Sequence, residues 1–207
     1  NDELAQRLQD VTPTQTADSE LLGLKALLLL SRNEPDAAEP IIAELAEREG
    51  DHLATGWHLF LTASKPGTDQ SAQDLVDACD DALSYTPSNP YIRFAKANSL
   101  ASMREYELAI NEWQAAARLA PAWPAPVRRL AEALLATDRP RQAYQAARAA
   151  RDRDPNNLAA ALTLADAMHR LIESSQSAEV ADRLMQLVER IQSAAPGEPR
   201  SAMIRID

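Results

Sequence analysis

The stretch RLAPAWPAP, residues 118–126, lies between two segments rich in Ala, Leu, Arg, Gln and Glu. Three prolines, Pro121, Pro124 and Pro126, surround Trp123. A proline inside a helix removes a backbone donor and clashes with the preceding turn, at a cost of about 3 kcal/mol or more. The stretch therefore separates two helices. Pro124 and Pro126 belong at or near the first turn of the second, where a missing N–H does no harm.

The break recurs. Pro87, Pro121 and Pro155 are spaced 34 residues apart, and Ala97, Ala131 and Ala165 keep the same step, as do Ala109 and Ala143. Between the prolines, VRRLAEALLAT and RQAYQAARAARDRD are both amphipathic at helical spacing, through Val127, Leu130, Ala131 and Leu134 and then Ala143, Ala146, Ala147 and Ala150. The polar turn DRP joins them. Each period is a helical hairpin, and the prolines mark the joint between hairpins. One hairpin cannot bury its apolar face alone, so neighbours must stack.

Composition agrees. Strong helix formers dominate, glycine is scarce at 5 residues, and 4% of the chain is aromatic. The net charge of −10 argues against a nucleic-acid surface, which needs clustered Lys and Arg. The longest apolar run, ALLLL at 26–30, is too short to span a bilayer, so no membrane insertion is expected. The opening NDELAQRLQD is polar and lacks an initiator methionine, which reads as a piece of a longer protein. The compartment stays open between cytoplasm and bacterial periplasm.

The 34-residue helix–turn–helix unit resembles the tetratricopeptide repeat family, whose pattern runs W-x2-L-G-x2-Y, A-x3-F, P. Unit 90–123 matches through Ala97, Leu100, Ala109, Trp113, Ala116 and Pro121, and departs at Arg93 and Lys96. Unit 124–157 matches through Val127, Leu130, Ala131, Leu134, Ala143, Ala150 and Pro155, with Ala147 in place of the aromatic. Unit 158–198 begins with Ala161, Leu164, Ala165 and Met168 and is lengthened around ESSQSAE. Upstream, unit 19–52 shows Leu22, Ala26, Leu29, Ala38, Ile42 and Leu45, and unit 53–89 carries extra residues in SKPGTDQS. Residues 1–18 read as the second helix of a truncated preceding repeat plus a linker, and 199–207 as the start of a following helix. The resemblance implies an all-α fold, a right-handed α-solenoid whose concave face is lined by the first helix of each unit.

That face, transferred from the family, falls on Trp57, Leu61, Tyr91, Phe94, Asn98, Arg128, Glu132, Leu135, Leu162, Asp166 and His169. Aromatic anchors mixed with charges of both signs are the composition of binding hot spots, although Trp57 and Phe94 fit equally well as packing between repeats. Trp113 reads as core, while Trp123 is consistent with covering the joint or with exposure. Some members of the family grip a C-terminal carboxylate with Lys and Asn on one first helix and basic groups two units later. Phe94, one turn before Asn98, and Leu162 and Thr163 occupy those places here, which disfavours that clamp.

No catalytic or cofactor constellation is visible. His52 and His58 are six residues apart, not the i, i+4 spacing of a helical zinc pair, and no metal site is expected. Cys79, the single cysteine, lies on an apolar helix face and reads as a buried thiol. Asp80 and Asp81 belong to a solvated acidic face. The expected function is a non-enzymatic interaction module that holds a peptide or protein partner in a groove. The alternatives are a scaffold or self-associating segment of a larger machine, such as a bacterial envelope or export assembly, and a regulatory appendage of an enzyme whose catalytic domain lies elsewhere.

Overall fold

The computed structural model describes residues 18–32, 34–64, 71–175 and 177–195. Among them are ten helices and no strand: α1 Ser19–Ser31, α2 Pro35–Ala46, α3 His52–Ser64, α4 Ala72–Tyr85, α5 Pro90–Ser102, α6 Tyr106–Leu119, α7 Pro124–Ala136, α8 Pro140–Arg153, α9 Leu158–Ser175 and α10 Ala178–Ala194. The helices assigned to residues 3–13 and 199–207, most of the SKPGTDQS insertion and Pro196 lie outside the described residues.

The chain divides into two compact units between Glu105 and Tyr106. The first holds α1–α5. There α1 packs on α2 and α3, and α3 packs on α4 and α5. Its core includes Leu59, Leu75, Cys79, Ile92 and Ala95. The second unit holds α6–α10, each helix packed on the next and α7 also on α9. Met168, Leu184 and Ile191 are at the centre of its core, with Tyr144 against them. Ala97, Ala131 and Ala165 are wholly buried, so the small residues of the period are core residues.

The helix ends repeat as the sequence does. Two first helices, α5 and α7, stop in the same way. At α5 the Glu105 N–H donates to the Leu100 carbonyl at 2.9 Å and the Arg104 N–H to Ala101 at 3.0 Å; at α7 Arg139 reaches Leu134 at 2.8 Å and Asp138 reaches Leu135 at 3.2 Å. This pair of bonds satisfies the last carbonyls and requires a left-handed residue after the cap. Arg104 and Asp138, 34 positions apart, hold φ of 65° and 57°. No glycine supplies the turn.

The starts of first helices answer the question posed by residues 118–126. Asp18, Asp51, Asn89 and Asn157 each precede a first helix, and their side-chain oxygens accept from its first-turn amides. At the same place before α7 stands Trp123, which makes no such bond. Pro124 and Pro126 follow it, so two first-turn donors do not exist, and the Trp123 N–H is taken by Ala120 at 3.0 Å. The prolines delete two of the first-turn donors and leave only the Ala125 N–H between them for a cap. The joint prolines also share a partner type. The Pro87 carbonyl accepts from Arg93 Nη2 at 2.7 Å, Pro121 from Arg153 Nε at 2.7 Å and Pro155 from Arg151 Nε at 2.9 Å.

A side chain in the left-handed region costs about 1–2 kcal/mol, partly offset when glycine replaces it by the greater freedom glycine loses on folding. Arg104→Gly is expected to stabilise the protein by about 0.5–1 kcal/mol. A lowered melting temperature in a calorimetric scan would show that the Arg104 side chain contributes more than its backbone strain removes.

Candidate functional site

In the first unit the expected groove residues come from α3 and α5, which pack together. Trp57 stacks on Tyr91 with ring centroids 4.7 Å apart, and Phe60 meets Trp57, Tyr91 and Phe94 at 5.7, 5.9 and 5.7 Å. From a chain poor in aromatics, these rings form one cluster. Contacts of this geometry contribute about 0.5–1.5 kcal/mol beyond their area. Gly23 on α1 closes the cluster, since a Cβ there would fall 2.1 Å from the indole. The Trp57 indole N–H is buried with no acceptor among the described residues.

This packing corrects part of the groove reading. Trp57 and Phe94 are 1% and 5% exposed, and Leu61 is buried with them; in the second unit Leu162 is also buried. Such side chains offer a partner almost nothing to touch, and they act as core. The physical reason is that within each unit the first helices pack on one another, α1 on α3, α3 on α5 and α7 on α9, so part of the transferred face is the contact itself. Tyr91 and Asn98 remain half-buried. Burial, with Glu20 adding to it, raises the Tyr91 hydroxyl above its ordinary pKa.

In the second unit Arg128, Glu132, Leu135, Asp166 and His169 are all half-buried, on α7 and α9. Glu132 is fixed by two arginines and rests against α9. Arg128 Nη1 lies 2.5 Å from its Oε1 and Arg129 Nη1 lies 3.1 Å from its Oε2, while the Thr163 hydroxyl of α9, shared with the Ala159 carbonyl at 2.9 Å, lies 3.3 Å from Oε1. The sequence shows the i, i+4 pair but not Thr163, whose hydroxyl gains this partner only when α9 is in place. His169 sits 3.9 Å from the Glu173 carboxylate.

The other singled-out residues have ordinary surroundings. His52 stacks on Tyr85 at 6.0 Å, and His58 Nδ1 lies 3.3 Å from the Ile42 carbonyl. Cys79 is buried. Lys96, an apolar position in the family pattern, pairs with Asp80 at 2.5 Å. Trp113 is buried, its N–H without an acceptor among the described residues, while Trp123 is half-buried. No group of three or more His, Cys, Asp or Glu side chains suited to a metal ion occurs among the described residues. No described helix is long and apolar enough to cross a membrane.

One polar cluster was not legible beforehand. Ser19 donates to Asp51 Oδ2 at 2.6 Å and accepts from Arg48 Nη1 at 2.8 Å, while Asp51 Oδ1 caps α3 through the amides of Leu53 and Ala54. The Ser19 hydroxyl is the main cause of a lowered Asp51 pKa, with the two amides and Arg48 assisting against burial. These residues lie 29 or more positions from Ser19, too far for a local pattern to link them.

No protein-family model and no curated protein matches the sequence. Solved structures do. A thermophilic tetratricopeptide repeat protein of Thermus thermophilus, TTC0263, superposes with a TM-score of 0.67 at 13% identity, over 90% of this chain and 98% of that one. The chain has the tetratricopeptide-repeat fold. MamA 41-end from Desulfovibrio magneticus RS-1 matches at TM-score 0.57 and 23% identity, over 84% of this chain and 96% of that one. A tetratricopeptide repeat protein from Parabacteroides merdae ATCC 43184 matches at 0.59 and 14%, over 90% and 72%. The tetratricopeptide solenoid class expected from the 34-residue landmarks is thus the class observed.

Gly23→Ala should destabilise the protein by about 1–3 kcal/mol through overpacking against the indole, although alanine is the better helix former by about 1 kcal/mol. A thermal melt that rises instead would show that α1 does not hold Trp57. For Asp51, whose folded pKa is lowered, the contribution is present above the unfolded carboxylate value of about 3.9 and disappears as pH falls through the folded value. Ser19→Ala is therefore expected to flatten the loss of stability with acidification below about pH 4, measured by urea titration at several pH values. An unchanged slope would remove Ser19 from that linkage.

Proposed function

We propose that this chain is a protein-interaction module without catalytic chemistry of its own, which holds a protein or peptide partner against the exposed part of its first helices. The observation that carries this reading is the Arg128–Glu132 pair on α7, half-buried, set against the buried Thr163 of α9 and held before any partner arrives. Polar groups already held in position lose less entropy when a partner binds. Leu135 supplies an apolar contact on the same helix as Arg128 and Glu132, and Asp166 and His169 add polar groups on α9. Structural neighbours built of tetratricopeptide repeats support a module of this class. Groove binding through Trp57, Leu61, Phe94 and Leu162 is not part of the proposal, because these side chains are core.

A second reading, scaffold or self-association, draws on large apolar side chains left in solvent on second helices. Leu108 and Leu119 of α6 are 53% and 42% exposed, and Met185 of α10 is 49% exposed. Photo-crosslinking separates the two. A benzoylphenylalanine at position 135 should capture a partner in cells, and one at position 108 should not. Capture from position 108 alone, with a second copy of the chain as the product, would replace the first-helix reading with self-association.

A further inference from the structure

The second unit contains a pocket of about 220 Å³ lined by the end of α8, the turn after it, the start of α9 and the outer turns of α10. Arg151 and Arg190 both line it, and no acidic residue among the described residues does. That is unexpected in a chain with 31 acidic and 21 basic residues. Arg151 uses Nε on the Pro155 carbonyl, but its Nη1 is buried with no acceptor among the described residues. It has no ion pair among the described residues, and neither has the exposed Arg190. The nearby acid Asp154 accepts from Asn157 Nδ2 at 3.0 Å, and Asn157 Oδ1 accepts from the Ala160 amide. Asn156 and the arginines are left to face the pocket. Leu158 and Leu187 supply its accessible apolar lining, over the buried Ile191.

A buried donor without an acceptor costs about 1–3 kcal/mol, more when charged, and a planar guanidinium matches a carboxylate in two parallel hydrogen bonds. We propose that this pocket binds a carboxylate carried on a short aliphatic group, as an acidic peptide segment presents where Asp, Glu or a free C-terminus adjoins Leu or Val. The arginines hold the anion, and Leu158 and Leu187 cover the aliphatic part. None of the pocket residues is among Arg128, Glu132, Leu135, Asp166 and His169, so the inference stands independently of the proposed function.

The test is a heteronuclear NMR titration of the whole chain at low ionic strength with hexanoate, acetate and inorganic phosphate, following the Nε–Hε signals of Arg151 and Arg190. Hexanoate should shift both signals saturably and bind about tenfold or more tighter than acetate, from burial of its additional methylenes. Arg190→Gln and Arg151→Gln should each weaken hexanoate about tenfold or more. If Arg151→Gln fails to fold because the Pro155 contact is lost, Arg190→Gln, at an exposed side chain, decides alone. No saturable shift, or unchanged hexanoate affinity in folded Arg190→Gln, overturns the site. Phosphate binding as tightly as hexanoate overturns the carboxylate-with-aliphatic assignment.

Discussion

The structure depends on a packing constraint: a helical hairpin has one apolar face too many, and only the next hairpin can cover it. Close approach of successive helices is therefore required at every joint. Alanine answers this at positions 97, 131 and 165, each fully buried, and glycine answers it at Gly23, where the neighbouring indole leaves no room for a methyl group. The large side chains of the first unit then fit into the remaining space as one aromatic cluster. Removing Cβ at one position lets a tryptophan enter three helices' worth of contact.

Hydrogen bonding solves the second problem, the backbone groups exposed where helices stop. Carboxylate and amide caps start most first helices, a left-handed residue ends α5 and α7, and an arginine occupies the carbonyl of each joint proline. The arginines come from different places, namely the following first helix, the next hairpin's second helix and the preceding second helix. A shared joint geometry has been stabilised from three directions, which explains why no fixed arginine spacing accompanies the proline spacing.

The period, the helical class and the alanine core were legible in the sequence because each leaves a mark at a fixed step. The proline joints were legible for the same reason, and Cys79 and Trp113 are buried as their apolar faces implied. The groove reading was legible only by analogy. It could not separate side chains that line a face from those that form the contact between first helices, and the burial of Trp57, Leu61, Phe94 and Leu162 became visible only once the helices were in place. Ser19 with Asp51, and Glu132 with Thr163, were illegible, because pairs 32 and 31 residues apart carry no local pattern. Trp123 was ambiguous until its place could be compared with Asp18, Asp51, Asn89 and Asn157.

That place has a consequence for how the chain responds to ions. A carboxylate at a helix start, as at Asp18 or Asp51, stabilises partly through the charge on the helix end, and dissolved electrolyte weakens that interaction. The start of α7 has no such charge: Trp123 makes no cap bond, and Pro124 and Pro126 remove two of the donors. The joint at residues 118–126 is held by packing, by the Trp123 N–H on the Ala120 carbonyl and by Arg153 on the Pro121 carbonyl, with no carboxylate at its cap. Electrolyte acts on the starts of α1 and α3 and leaves this one's cap unchanged, so position 123 is free to carry an aromatic ring.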